Sequence, residues 1–199
     1  MIGIINYGAG NLLSVKKAFD YLSLENKIIS GEEDFKDIDK LVLPGVGAFG
    51  SAVDRLQSVK LWDLIIEWLN NDMPFLGICL GLQLLYEKSE ENLGVDGFGF
   101  LKGTVKRFQK GKIPQIGWNS ISIKSTNELF YNIDNNSFFY FVHGYYVDNI
   151  DDEVEIAITD YYITYTSAIQ KGNIVAVQFH PEKSGKKGLQ FLLNWSKLC

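Results

Sequence analysis

Gly77-Ile78-Cys79-Leu80-Gly81 sets a thiol between two glycines, after the apolar run Pro74 to Ile78 and before an apolar, helix-like stretch. Gly-x-nucleophile-x-Gly at a strand-to-helix turn is the pattern that exposes a nucleophile on a strained corner. A thiol at a helix N-terminus also gains thiolate character from the positive end of the helix dipole. A structural cysteine among apolar strands is the competing reading. A cysteine nucleophile needs a base, and the chain has two histidines, His143 and His180. His180 stands in Val177-Gln178-Phe179-His180-Pro181-Glu182, directly after a strand-like run, where a side chain can project into a cleft at the sheet's edge. Glu182 follows across a proline that fixes the backbone, so its carboxylate can orient the imidazole. Cys79, His180 and Glu182 would then form a triad, the alternative being a strand end followed by an exposed Glu. Pro44-Gly45-Val46-Gly47 supplies a third element, a loop whose small residues let backbone N–H groups reach a substrate oxygen. It lacks the Gly-x-x-x-x-Gly-Lys-Ser/Thr pattern of a phosphate loop. Tyr7-Gly8-Ala9-Gly10-Asn11 lacks the full dinucleotide fingerprint and reads as a turn close to the active-site edge.

The elements that must position these groups follow from periodicity. Ile2 to Asn6, Asn26 to Ile29, Lys40 to Leu43 and Pro74 to Ile78 are strand-like. Helical spacing runs through Leu12, Val15, Phe19 and Leu22, then from about Ser51 to Asn70, and from Leu80 to Lys88. Alternation of this kind predicts a parallel sheet covered on both faces. Beyond about residue 100, strand-like runs at Gly117 to Ile123, Phe138 to Val142, Val154 to Thr159, Ile163 to Ile169 and Ile174 to Phe179 follow one another, which predicts antiparallel extension of the sheet. Gly185 to Lys197 closes the chain as a helix with Leu189, Leu192 and Leu193 facing inward. The expected fold is one α/β domain over residues 1–199, with a mixed, mostly parallel sheet flanked by helices.

Composition narrows the function classes. With 199 residues, 46% hydrophobic and 22% charged, the chain can bury a sizeable core. Its net charge of −5 and lack of a dense basic run give nucleic acid or an anionic membrane surface little to bind. The longest apolar stretches fall short of the roughly 20 residues that span a bilayer. The first residues resemble no secretory signal, so a cytoplasmic protein is expected. Two cysteines, Cys79 and Cys199, are too few and too far apart for a disulfide framework or a zinc site. No cofactor or metal is expected.

The Pro44 to Gly47 loop, the elbow with Gln83 after it and the His180-Pro181-Glu182 motif, in this order, resemble the class I (triad) glutamine amidotransferases. Ile4-Ile5-Asn6-Tyr7-Gly8-Ala9-Gly10-Asn11-Leu12, Gly117-Trp118-Asn119 and Tyr140-Phe141-Val142-His143-Gly144-Tyr145 extend the likeness over essentially the whole chain, to the glutaminase subunits of imidazole glycerol phosphate synthase. The resemblance implies that Cys79 attacks the side-chain amide of L-glutamine, that His180 moves the proton, and that Glu182 holds the histidine. By matching position, the amide of Leu80 and one from Val46 or Gly47 would hold the oxyanion, while Gln83 and the backbone at Gly144 and Tyr145 would fix the substrate. It further implies a heterodimer with a (β/α)8-barrel cyclase subunit that uses the ammonia to make imidazole glycerol phosphate and an aminoimidazole carboxamide ribotide in histidine biosynthesis. Trp118 is the expected interface anchor, a buried core Trp being the alternative. Gln115 and Gly144 depart from the family's usual His and Ser at positions where partner and glutamine would approach. Three other readings stay open: a paralogous glutaminase serving another synthase such as a sugar amidotransferase, a free-standing hydrolase of the elbow superfamily, and an interaction module with a decayed triad.

Overall fold

Strands buried on both faces need helices on both sides. The computed structural model, which describes residues 1–8 and 10–198, is built in this way. Five parallel strands form its centre in the order β2 (Asn26–Ile29), β1 (Ile2–Ile5), β3 (Lys40–Gly45), β4 (Phe75–Cys79) and β13 (Ile174–Val177). Antiparallel strands continue the sheet through β12 (Thr164–Lys171), β10 (Tyr145–Asn149) and β6 (Leu101–Arg107), with β5 (Tyr86–Ser89) parallel to β6 at the edge. β11 (Glu155–Asp160) pairs with β12 and with the short β8 (Ser122–Ile123). The mixed sheet and its antiparallel extension match the sequence reading. No helix among the described residues is long and apolar enough to cross a membrane.

The period of two divides each central strand between two cores. Ile4, Val42, Leu76 and Ile78 pack with Val15 and Phe19 of α1 (Leu12–Tyr21) and with Phe191 and Trp195 of α5 (Gly185–Lys197). Ile5, Leu41, Leu43 and Phe75 face the other way, toward Leu56 of α2 (Phe49–Ser58) and Ile65 of α3 (Trp62–Asn70). Each fully buried side chain of this kind contributes about 1.5–3 kcal/mol relative to exposure.

Four expectations need correction. The helix read over Ser51 to Asn70 is two helices, because Lys60 turns left-handed at φ +58° and the amide of Leu61 reaches back to the Leu56 carbonyl, closing α2 without a glycine to announce it. The helix read over Leu80 to Lys88 stops after one turn, α4 (Leu80–Gln83), and Tyr86 to Ser89 form β5, with Tyr86 fully buried and its hydroxyl on Asn149 Oδ1 at 3.1 Å. The strands read over Gly117 to Ile123 and Phe138 to Val142 do not both extend the main sheet. β7 (Gln115–Ser120) and β9 (Phe138–His143) form their own antiparallel ribbon. α5 turns Phe191, Leu192 and Trp195 fully inward, whereas Leu189 and Leu193 are half-buried.

Candidate active site

The centre of the site is the corner between β4 and α4. Cys79 sits there at φ +55° and ψ −103°, a conformation a residue with a Cβ adopts only under strain. The flanking glycines are required by close approach: a Cβ on Gly81 would stand 2.1 Å from the Leu43 carbonyl oxygen, and one on Gly77 would stand 2.8 Å from the backbone of Gly81. Because α4 is a single turn, the helix dipole expected to favour the thiolate is short.

His180 follows β13, the strand paired with β4, so the topology brings it beside the corner. Its ring is fully buried. Nδ1 lies 2.7 Å from Glu182 Oε1, which leaves Nε2 as the nitrogen available to the thiol. Burial by itself pulls the His180 imidazole down, but the negative charges of a Cys79 thiolate and of Glu182 outweigh it and push the ring up to about 10. The backbone is pinned as well. His180 N–H donates to the Tyr140 carbonyl at 2.9 Å, and Ser184 Oγ donates to the His180 carbonyl at 2.6 Å. Asn11, on the far side of the turn at Tyr7 to Asn11, donates its amide to the same Glu182 oxygen. Ala9 of that turn and Cys199 lie outside the described residues.

Gly45 is paired with Cys79 across β3 and β4, so the chain leaving β3 passes directly over the corner. Val46 and Gly47 then line a cavity of about 250 Å3 together with Cys79, Leu80, Gln83, Gly144 and Tyr145. All seven are residues singled out from the sequence. Glu91, Pro114, Val142 and His143 complete the wall. Beneath the loop, the Tyr7 hydroxyl is buried, and any Cβ on Gly45 would stand 2.6 Å from it. Burial, and then the Cys79 charge, raise the Tyr7 phenol, so it stays protonated.

Gln83 and the Gly144–Tyr145 segment are tied together. Gln83 Nε2 donates to the Tyr145 carbonyl at 3.2 Å and to Gln178 Oε1 at 3.1 Å, so its amide oxygen is the end left for a ligand. His143 Nδ1 donates to the same carbonyl at 2.7 Å. Burial keeps the His143 ring neutral, pulled down to about 4, so with its proton on Nδ1 the other nitrogen must accept from the Tyr165 hydroxyl at 3.2 Å. That spends the one Tyr165 hydroxyl proton, so the Gln115 side-chain amide, 3.0 Å away, must turn its nitrogen to the hydroxyl and donate to it. Gln115 is thus buried against Tyr165. Gly144 has room for a side chain, since a Cβ would meet only Ile113 and Pro114 at 3.6 and 4.0 Å.

Trp118 lies apart from the cavity and is 56% exposed, which disposes of the buried-core alternative. Sequence reasoning passed over Asn11, Glu91 and Gln178. Gln178 belonged to the strand-like run before His180, where period two sets it and His180 on one face, the signal that was available. Among the described residues no group of three or more His, Cys, Asp or Glu could hold a metal ion.

A thiol on a strained strand-to-helix corner, a carboxylate-oriented imidazole beside it and a small cavity over the thiol fit the class, a glutamine amidotransferase of class I, and the model of that family, "Glutamine amidotransferase class-I", matches residues 4–197. Over its full length the chain is 47% identical to the imidazole glycerol phosphate synthase subunit HisH of Methanocaldococcus jannaschii, covering 100% of both chains. It is 45% identical to the HisH subunit of Caldanaerobacter subterraneus subsp. tengcongensis, covering 100% of this chain and 98% of that one. Among solved structures, a glutamine amidotransferase superposes with a TM-score of 0.77 at 17% identity over 98% of each chain. A PurLQS structure from Thermotoga maritima shares the fold at a TM-score of 0.77 and 18% identity, over 98% of this chain and 96% of that one. The chain belongs to the class I glutamine amidotransferases and, within them, to the HisH subunits of imidazole glycerol phosphate synthase.

Proposed function

We propose that the chain hydrolyses L-glutamine to glutamate and ammonia through a thioester on Cys79 and delivers the ammonia to a (β/α)8-barrel cyclase subunit. The observation that carries this reading is that Cys79 lines one cavity with the Val46–Gly47 loop while the buried His180–Glu182 pair stands beside that same cysteine, just after the strand paired with β4. The Cys79 thiolate adds to the side-chain amide carbon, and the resulting oxyanion is held by the N–H of Leu80 and one from Val46 or Gly47. The His180 imidazolium gives its proton to the nitrogen as the C–N bond breaks, releasing ammonia and leaving the acyl group on sulfur. His180, now neutral, takes a proton from water, whose oxygen attacks the thioester, so that glutamate leaves and the thiolate returns. Glu91, the carboxylate in the cavity wall, suits the α-ammonium of the substrate, and the amides of Gly144 and Tyr145 suit its α-carboxylate.

The relatives named as synthase subunits support a partner that uses the ammonia and carries the ring-closing, lyase half of the reaction. Trp118 is the proposed anchor of that contact, and a biosynthetic exchange of free metabolites belongs in the cytoplasm. The test is glutamate release by the chain alone, with the cyclase, and with the cyclase plus its ribotide ligand. Cys79→Ala should abolish hydrolysis in all three while synthesis from added ammonia continues. Stimulation by a different barrel protein would keep the glutaminase and overturn the histidine assignment.

A further inference from the structure

Gln178 directly follows β13, two residues before His180, is fully buried, and belongs to no element of the mechanism derived above. Its backbone N–H is already used by the Ser167 carbonyl at 2.9 Å, so the side chain is what remains to be explained. Its orientation can be deduced from one fixed acceptor. The Tyr145 carbonyl cannot donate, so Gln83 must turn its nitrogen toward it, at 3.2 Å. The same nitrogen lies 3.1 Å from the Gln178 amide, which must therefore present its oxygen to Gln83. The Gln178 nitrogen then points the other way, and it stands 3.5 Å from Cys79 Sγ.

We infer that Gln178 is a positioning residue of the glutaminase reaction, an amide aimed by Gln83 that donates a hydrogen bond to the Cys79 sulfur and holds it in the ionised, attack-ready form. This inference rests on the proposal that Cys79 is the nucleophile. A donor to sulfur is worth most when the sulfur is charged, so the contact favours thiolate over thiol. Other groups facing the sulfur do not duplicate it. His180 supplies positive charge, Glu182 acts behind His180, Tyr7 and Tyr165 are neutral phenols kept protonated by burial, His143 is neutral, Arg55 stands behind Tyr7, and Glu91 in the cavity wall opposes a second negative charge. The one-turn α4 adds little of its own.

The test is alkylation of Cys79 by iodoacetamide in the full chain from pH 5 to 10, followed by the mass of the Cys79 peptide so that Cys199 is counted separately. In Gln178→Leu the rate at pH 7 should fall by at least about tenfold and rejoin the parent at high pH, where every thiol is ionised. Gln178→Glu keeps an acceptor for Gln83 and, once its carboxyl is ionised, has no hydrogen for sulfur, so above that ionisation its rate should fall further. Profiles that coincide with the parent's in both variants would overturn the inference, as would a change in Gln178→Glu alone, which would come from the new charge. Should a variant melt below assay temperature, the parent supplies the second measurement. The side-chain amide proton of 15N-labelled Gln178 should shift as Cys79 ionises, and an unmoved resonance refutes the contact. Failure of the thioester reading looks different: Cys79→Ala would keep its hydrolysis, whatever the Gln178 variants do.

Discussion

A residue with a Cβ held at φ +55° carries a steric cost of about 1–3 kcal/mol, and here the residue that carries it is the proposed nucleophile. The neighbours that enforce the strain are as informative as the cysteine. Gly81→Ala would drive a methyl group to within 2.1 Å of the Leu43 carbonyl, so either the corner or β3 must move. A loss of at least about 2 kcal/mol in chemical denaturation, together with loss of glutamate release, is the expected outcome. Glu182 permits a sharper test. Its charge favours the imidazolium of His180, pushed up to about 10, and a neutral Gln at 182 removes that support. The alkaline limb of kcat/KM should therefore move to lower pH in Glu182→Gln, and kcat should fall by roughly tenfold or more. An unmoved limb would mean that Glu182 does not act on His180. Cys79 and His180 were legible in sequence because glycine spacing and the brevity of the histidine inventory single them out. Asn11 and Gln178 were not, since an amide side chain reveals its role only when its hydrogen-bond partners, distant in sequence, are known.

Between elements, the clearest coupling is the chain of hydrogen bonds from Gln115 on β7 through Tyr165 on β12 to His143 on β9. It ties the two-stranded ribbon to the main sheet and works only while His143 is neutral, because a second ring proton would replace the acceptor that Tyr165 uses. In the unfolded chain His143 titrates near 6.5, and in the fold it is pulled down to about 4. Across that interval the unfolded chain binds more protons, so stability falls as pH drops from 6.5 toward 4, by on the order of 3 kcal/mol in all. Urea melts should show this slope in the parent and a shallower one in His143→Gln. Element types were legible where the pattern was long and regular, as in α1, α5 and the central strands. They failed where the deciding interaction was tertiary. Leu84-Leu85-Tyr86 continues an apolar run that suits a helix as well as a strand, and pairing with β6 decides it. Lys60 closes α2 in a left-handed conformation that glycine would have signalled.

Across the whole molecule, the ribbon joins the cavity to the outside. Residues directly opposite in its register share a face, so Val142, Ile116, Trp118, Tyr140 and Phe138 form one side, while His143, Phe141 and Phe139 form the buried other. The outer side begins at Val142 in the cavity wall and runs to Phe138, with Ile116, Trp118 and Phe138 58%, 56% and 59% exposed. A partner seated on it would touch the same strands that carry the proposed substrate-binding segment. Glutamate release should accordingly rise by at least roughly tenfold with the cyclase and its ligand, a change that needs about 1.4 kcal/mol of differential stabilisation. Trp118→Ala should demand at least about tenfold more cyclase to reach half of the stimulated rate while retaining the plateau. That outer side also bears on how the cell must handle the chain before it finds a partner. Three neighbouring apolar side chains in water form an adhesive strip, and copies made in excess would cling to one another or be cleared by quality control. Synthesis of this subunit is therefore expected to be matched in amount, and in time, to synthesis of the protein that covers it.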